Sequence, residues 1–172
     1  MTQNYARIAE QYGRELGTFL LSSVEEHTVS AIKELVSHNV LVVLNENDAV
    51  HKESTFGDND KMAATLAKTL GARLTIISDV KGLYDGRERI IHTISTNEAK
   101  KHVHTGGSGT GGMMSKIHAA EICGQVIVGC DSLKNAVQNG TLIYDGHQQP
   151  YAPTDQSCTT NQHDPPKPSS PL

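Results

Sequence analysis

Apolar positions along this chain switch between helical and strand periods, and the switching marks out its elements. Tyr5, Ile8 and Tyr12 recur at helical spacing over Gln3 to Tyr12, and Gly13 ends the pattern. Thr18 to Leu21 reads as a strand. Ser23 and Glu26 have capping-box spacing ahead of a helix with Val29, Ile32, Leu35 and Val36 inward, ending near His38–Asn39. Val40 to Leu44 (VLVVL) is a continuous aliphatic run of the kind buried on both faces of a parallel sheet. Asp58 or Asn59 caps the next helix, which turns Met62, Leu66 and Leu70 inward and stops at Gly71. Leu74 to Ser78 (LTIIS) is a second buried strand, followed by a polar region. A helix over Met113 to Cys123 and a strand over Val126 to Gly129 come next. Asp131 then caps a short helix that buries Leu133, Ala136 and Val137 and closes at Gly140, before a last strand over Thr141 to Gly146.

Strands alternating with helices through short connections predict right-handed βαβ units, an α/β fold with a mainly parallel sheet covered by helices. From His147 onward Pro, Ser, Thr and Gln dominate and aliphatic residues almost vanish. The expected organisation is one domain over residues 1–146 and a disordered tail over 147–172, because such a tail buries too little to offset its ordering entropy.

Composition narrows the function classes. A formal net charge of −4 argues against general nucleic-acid binding, which needs a basic face. No apolar run reaches membrane-spanning length and MTQNYARIAEQYG lacks a signal peptide's apolar region, so a cytoplasmic protein is expected. Cys123, Cys130 and Cys158 form no CxxC pair, which suggests reduced thiols rather than zinc or a disulfide framework. His102 and His104 beside the glycine-rich stretch are candidate ligands, with solvated loop residues the preferred reading.

The chemistry concentrates in Thr105 to Lys116 (TGGSGTGGMMSK). Glycines let backbone N–H groups approach a ligand closely, and a helix N-terminus adds partial positive charge, a combination suited to phosphate. Lys116 falls one turn inside the helix, where it would place a point charge on a terminal phosphate. Gly107-x-Gly109-x-x-Gly112 fits the dinucleotide fingerprint in letters, but basic and polar residues precede it where a strand should stand. The Walker A order is absent, since Ser115 precedes Lys116. Polar clusters follow the strands: Asn45, Asn47 and Asp48 after one, Ser78 and Asp79 after another, with Asp58, Asn59 and Asp60 between. Strand carboxyl ends are where open α/β sheets hold ligands. Amide and carboxylate side chains there, with a glycine–lysine loop, point to phosphoryl transfer to a small amino acid.

Four motifs carry a specific resemblance. NENDAV (Asn45 to Val50), FGDND (Phe56 to Asp60), SDVKGLYD (Ser78 to Asp85) and GTGGMMSK (Gly109 to Lys116) resemble, in order and spacing, those of the glutamate 5-kinase group of the amino acid kinase family. The resemblance implies an αβα sandwich, here N-terminally truncated, and ATP-dependent phosphorylation of the L-glutamate γ-carboxylate, which begins proline biosynthesis. It implies Lys116 and Asp60 as catalytic residues, Asp60 organising lysines rather than acting as a base. Asn45, Asp48 and Asn59 would hold glutamate. Ser78 and Asp79, with Thr110, Gly111, Gly112, Met113, Met114, Ser115 and Lys116, would bind the nucleotide, magnesium arriving with ATP. The family pattern also includes a first strand with a lysine and a glycine-rich phosphate loop, which this chain starts after. DGRER follows Tyr84 where the family has an Asp-Pro-Arg segment. A homo-oligomer, another amino acid kinase, and a non-catalytic nucleotide- or glutamate-binding fragment or regulatory subunit stay open as alternatives.

Overall fold

The computed structural model describes residues 2–47, 59–105, 110–147 and 150. Asp48, Asp58 and nearly all of the expected tail lie outside the described residues. In chain order the elements are α1 (Thr2–Gln11), β1 (Leu16–Leu21), α2 (Glu26–Ser37), β2 (Leu41–Glu46), α3 (Asn59–Leu70) and β3 (Leu74–Ile77). Then come β4 (Thr93–Ser95), α4 (Thr96–Thr105), α5 (Thr110–Cys123), β5 (Gln125–Gly129), α6 (Leu133–Asn139) and β6 (Thr141–Tyr144).

Two sheets result. β1 and β2 pair in parallel from Leu16↔Leu41 to Leu21↔Glu46. The second sheet has the order β3-β5-β6-β4. β3 with β5 and β4 with β6 are parallel, as the sequence led us to expect, but β5 and β6 are antiparallel, with Gln125 opposite Tyr144. The chain turns back between them through residues 130–140, which carry the short α6.

α6 sits close on β5 because of one glycine. A Cβ on Gly129 would lie 2.5 Å from the Ala136 Cα. Such contact excludes any larger residue at Gly129 without a shift of the helix.

The core falls into two clusters joined by α3. Leu21, Ile32, Met62 and Leu66 pack between the first sheet and its helices, with Phe19, Val42 and Leu44 against them. Ala64, on another side of α3, joins Ile117, Ala119, Ala120, Val126, Val128 and Ile143 around the second sheet. Full burial falls on β5 and β6, each with a neighbouring strand on both sides: Val126, Val128, Thr141 and Ile143 are 0% exposed.

The remaining strands correct the sequence reading. VLVVL was expected to be buried on both faces, yet β2 is half-buried along its apolar run, having among the described residues a neighbour on one edge alone. Tyr5 and Ile8 on α1, and Tyr12 just past its end, are exposed, while Ala9 packs inward. Val36 and Leu133, expected inside, are exposed. The Ser23–Glu26 box does not form: Glu25 is the N-cap of α2 without a side-chain cap bond, and Ser23 Oγ donates to Glu25 Oε1 at 2.6 Å. Ser132 rather than Asp131 caps α6, accepting from Asn135 N at 3.2 Å. The polar region before the glycine loop contains β4 and α4, and α5 begins at Thr110 rather than Met113.

Candidate functional site

The carboxyl ends of β3 and β5 lie side by side, and Ser78 N continues the ladder by donating to Gly129 O at 2.8 Å. Ser78 and Asp79 leave the sheet there, joined by Ser78 Oγ donating to Asp79 Oδ1 at 3.0 Å. The first turns of α5 close over this end. Gly112, Met113 and Lys116 share one side of the helix and, with Ser78, Asp79 and Val80, line a cleft of about 190 Å³. Apart from its own helix backbone, a Cβ built on Gly112 meets no atom of the described residues within 4 Å, so the glycine leaves free space beside the helix.

Lys116 is fixed from two directions. Its Nζ donates to Asp60 Oδ2 and to Gly112 O, each at 3.2 Å. Asp60 stands in the first turn of α3 and also accepts from Ser115 Oγ at 3.0 Å through Oδ2. The Lys116 and Asp60 side chains are 11% and 19% exposed, so the ion pair is largely shielded from water. Shielding strengthens the attraction while charging each ion a desolvation cost, so the pair specifies a position more than it stabilises the fold.

The expected site residues divide into those the cleft gathers and those placed elsewhere. Ser78, Asp79, Gly112, Met113 and Lys116 line it, with Asp60 bonded behind the lysine. Thr110 and Gly111 are the first two residues of α5, their side-chain surroundings outside the described set. Met114 packs, with part of Met113, against the core around Ile117. Ser115 faces Asp60 and lines a separate groove with Lys61, His118, Glu121 and Ile122. Asn45 is exposed at the end of β2, its Nδ2 donating to Glu46 O at 3.3 Å, and Asn59 is exposed at the start of α3. Neither lines the cleft, and Asp48 falls outside the described residues.

Two polar arrangements near this end were not anticipated. Cys130 Sγ donates to Asp131 Oδ2 at 3.0 Å, and Asn135 Nδ2 donates to the same oxygen at 3.2 Å. Asp131 adopts φ 65°, a left-handed conformation in which Asp is enriched, and that preference was the available signal. The hydrogen bond to the Asp131 carboxylate, with burial, pushes the Cys130 thiol above its usual pKa and keeps it protonated. Further along, Asp85 Oδ1 accepts from Arg87 N at 2.8 Å and Arg89 N at 2.9 Å, while Oδ2 receives the Arg89 guanidinium at 2.8 Å. The Arg89 and Arg87 backbone N–H groups hold the Asp85 carboxyl below the ordinary carboxylate pKa. DGRER is thereby a closed turn.

Among the described residues no three His, Cys, Asp or Glu converge as a metal cage, and no helix is long and apolar enough to cross a membrane.

A cleft at strand carboxyl ends, roofed by a glycine-bearing helix start with a positioned lysine, is the arrangement of a phosphate-handling α/β domain. The chain belongs to the amino acid kinase family, whose model matches residues 7–125. The glutamate 5-kinase of Clostridium acetobutylicum is 33% identical over 144 residues, which cover 71% of this chain and 53% of that protein. The glutamate 5-kinase of Nocardia farcinica is 36% identical over 154 residues, covering 77% and 42%. This chain thus spans about half the length of the curated relatives it matches. The carbamate kinase from Giardia lamblia bound to AMP-PNP has the same fold, with a TM-score of 0.59 at 21% identity over 84% of this chain and 67% of that one. An N-acetylglutamate synthase from Neisseria gonorrhoeae complexed with coenzyme A and N-acetyl-glutamate superposes with a TM-score of 0.58 at 16% identity, over 87% and 43%.

Proposed function

We propose that this chain binds ATP and transfers its γ-phosphoryl group to the γ-carboxylate of L-glutamate, giving the acyl phosphate from which proline synthesis starts. The observation that carries this reading is Lys116, bonded to Asp60 at 3.2 Å and lining the cleft with Ser78 and Asp79. Glutamate 5-kinases at 33–36% identity support the choice of acceptor.

In this reading the phosphate end of the nucleotide lies against Gly112 and the first turn of α5, where a side chain would intrude. Lys116 neutralises charge as the phosphoryl group moves, a positional and electrostatic form of catalysis. Asp60 fixes the ammonium; it removes no proton, because the attacking carboxylate is already ionised. Asn45, Asp48 and Asn59 hold the amino acid. Asp79 and Ser78 suit a nucleotide's polar edge, and magnesium arriving with the nucleotide would supply further charge neutralisation. The proposed setting is the cytoplasm, with a homo-oligomer compatible with the fold.

The test is ATP turnover by the purified chain with and without L-glutamate, trapping acyl phosphate as its hydroxamate, beside Lys116→Ala. Glutamate-dependent hydroxamate lost in the variant supports the reading. Nucleotide binding without hydroxamate would favour a non-catalytic binding module.

A further inference from the structure

Ser115 and Lys116 are consecutive on α5, so their side chains leave the helix about 100° apart. Lys116 shares its side with Gly112 and Met113, facing the cleft. Ser115 belongs to the side that carries His118 and Ile122, which lines the groove with Lys61 and Glu121. The two side chains nevertheless converge on one atom. Ser115 Oγ donates to Asp60 Oδ2 at 3.0 Å and Lys116 Nζ donates to the same oxygen at 3.2 Å.

We propose that Ser115 is a positioning residue, holding the Asp60 carboxylate so that Lys116 stays aimed at the cleft, and is not a contact to the nucleotide. This rests on the reading of Lys116 as the phosphate-facing cation. A carboxylate on a two-torsion side chain can swing, and a hydroxyl donor beside the ammonium on the same oxygen restrains it. Lys116 keeps Gly112 O as a second acceptor, but that carbonyl belongs to its own helix and cannot tie it to α3. The hydroxyl therefore acts at the junction of α3 and α5, behind the lysine. A misplacement of the cation of about 1 Å is enough to cost on the order of a hundredfold in rate.

The experiment reads the Lys116 amine directly, without any nucleotide. Wild type, Ser115→Ala, Ser115→Thr and Asp60→Asn are treated with limiting acetic anhydride, and Lys116 acetylation is measured by peptide mass spectrometry against exposed Lys134 in the same sample. Held at 11% exposure, Lys116 reacts slowly in the wild type. Ser115→Ala is expected to raise the relative rate on the order of fivefold, the worth of one hydrogen bond. Asp60→Asn should raise it at least as far, and Ser115→Thr should restore the wild-type rate. In a parallel titration with magnesium AMP-PNP, any loss of affinity in Ser115→Ala should appear together with faster Lys116 acetylation, since the hydroxyl acts through the lysine. An unchanged Lys116 rate in Ser115→Ala overturns the proposal, whatever Asp60→Asn does, as does failure of Thr to restore it. So does a large loss of AMP-PNP affinity with Lys116 reactivity unaltered. Absence of AMP-PNP binding in every variant would refute the nucleotide reading while the acetylation pattern still decides the role of Ser115.

Discussion

Lys116 and Asp60 stand 56 positions apart in the chain and 3.2 Å apart in the fold, joined where the first turns of α3 and α5 meet. The pair forms because small residues let the two helices approach: Ala64 on α3 and Ala119 and Ala120 on α5 are all fully buried. One end of that helix pair is core and the other is chemistry. The lysine leaves the core side near Ile117 and emerges at the sheet's carboxyl end beside Ser78 and Asp79.

Gly112 separates stability from binding. Apart from its own helix backbone, no atom of the described residues lies within 4 Å of a Cβ built there, and its φ lies outside the left-handed range, so alanine fits the helix without strain. Gly112→Ala should stabilise the chain by up to about 1 kcal/mol through helix propensity. The same methyl group enters the cleft and should weaken magnesium AMP-PNP binding severalfold. Thermal denaturation and nucleotide titration on one preparation check both; a more stable variant with unchanged affinity would remove Gly112 from the nucleotide site.

Thr141 is fully buried and its Oγ1 accepts from Leu83 N at 2.8 Å, tying the segment after β3 to β6. Thr141→Val keeps the shape and leaves that N–H unsatisfied, at a cost of about 1–3 kcal/mol, whereas Thr141→Ser should lose much less. Chemical denaturation of the two variants compares them.

The Asp85 turn should respond to acid. Its carboxyl is held low by the Arg89 and Arg87 backbone N–H groups. A depressed folded value means that the turn's contribution is present above the unfolded carboxylate pKa, about 3.9, and is lost as pH falls through the folded value. Between neutral pH and about pH 5 the Arg87 and Arg89 amide resonances should stay fixed, moving only at lower pH. In Asp85→Asn they should lack that acid transition. Titration of Asp85 at or above the ordinary carboxylate value would contradict the assignment.

Much of this fold was legible in the sequence because apolar runs are loud signals: LVVL, LTII and VIVG all became strands. α4 was missed because, among the described residues of TNEAKKHVHT, the buried apolar ones are just Ala99 and Val103, one of them small. β4 is three residues long and has no periodicity to read. Asp131 was read as a cap since Asp usually caps helices, but its left-handed backbone passes the role to Ser132. Local pattern also cannot report which neighbours a strand will find, so β2 looked as buried as β5. Within the site, Ser78, Asp79, Gly112, Met113 and Lys116 were foreseen and gathered by the fold. The aim of Ser115 at Asp60 was not foreseen, because it depends on how α3 crosses α5, which no local window contains.

The most direct measurement of the central claim is calorimetric titration of the wild-type chain and Lys116→Ala with magnesium AMP-PNP. Folding of both is checked by circular dichroism. The account predicts saturable binding by the wild type and a loss of at least about tenfold in Lys116→Ala, since one charge-assisted contact to phosphate is removed. Equal affinity in the two proteins, or no binding by a folded wild type, would contradict it.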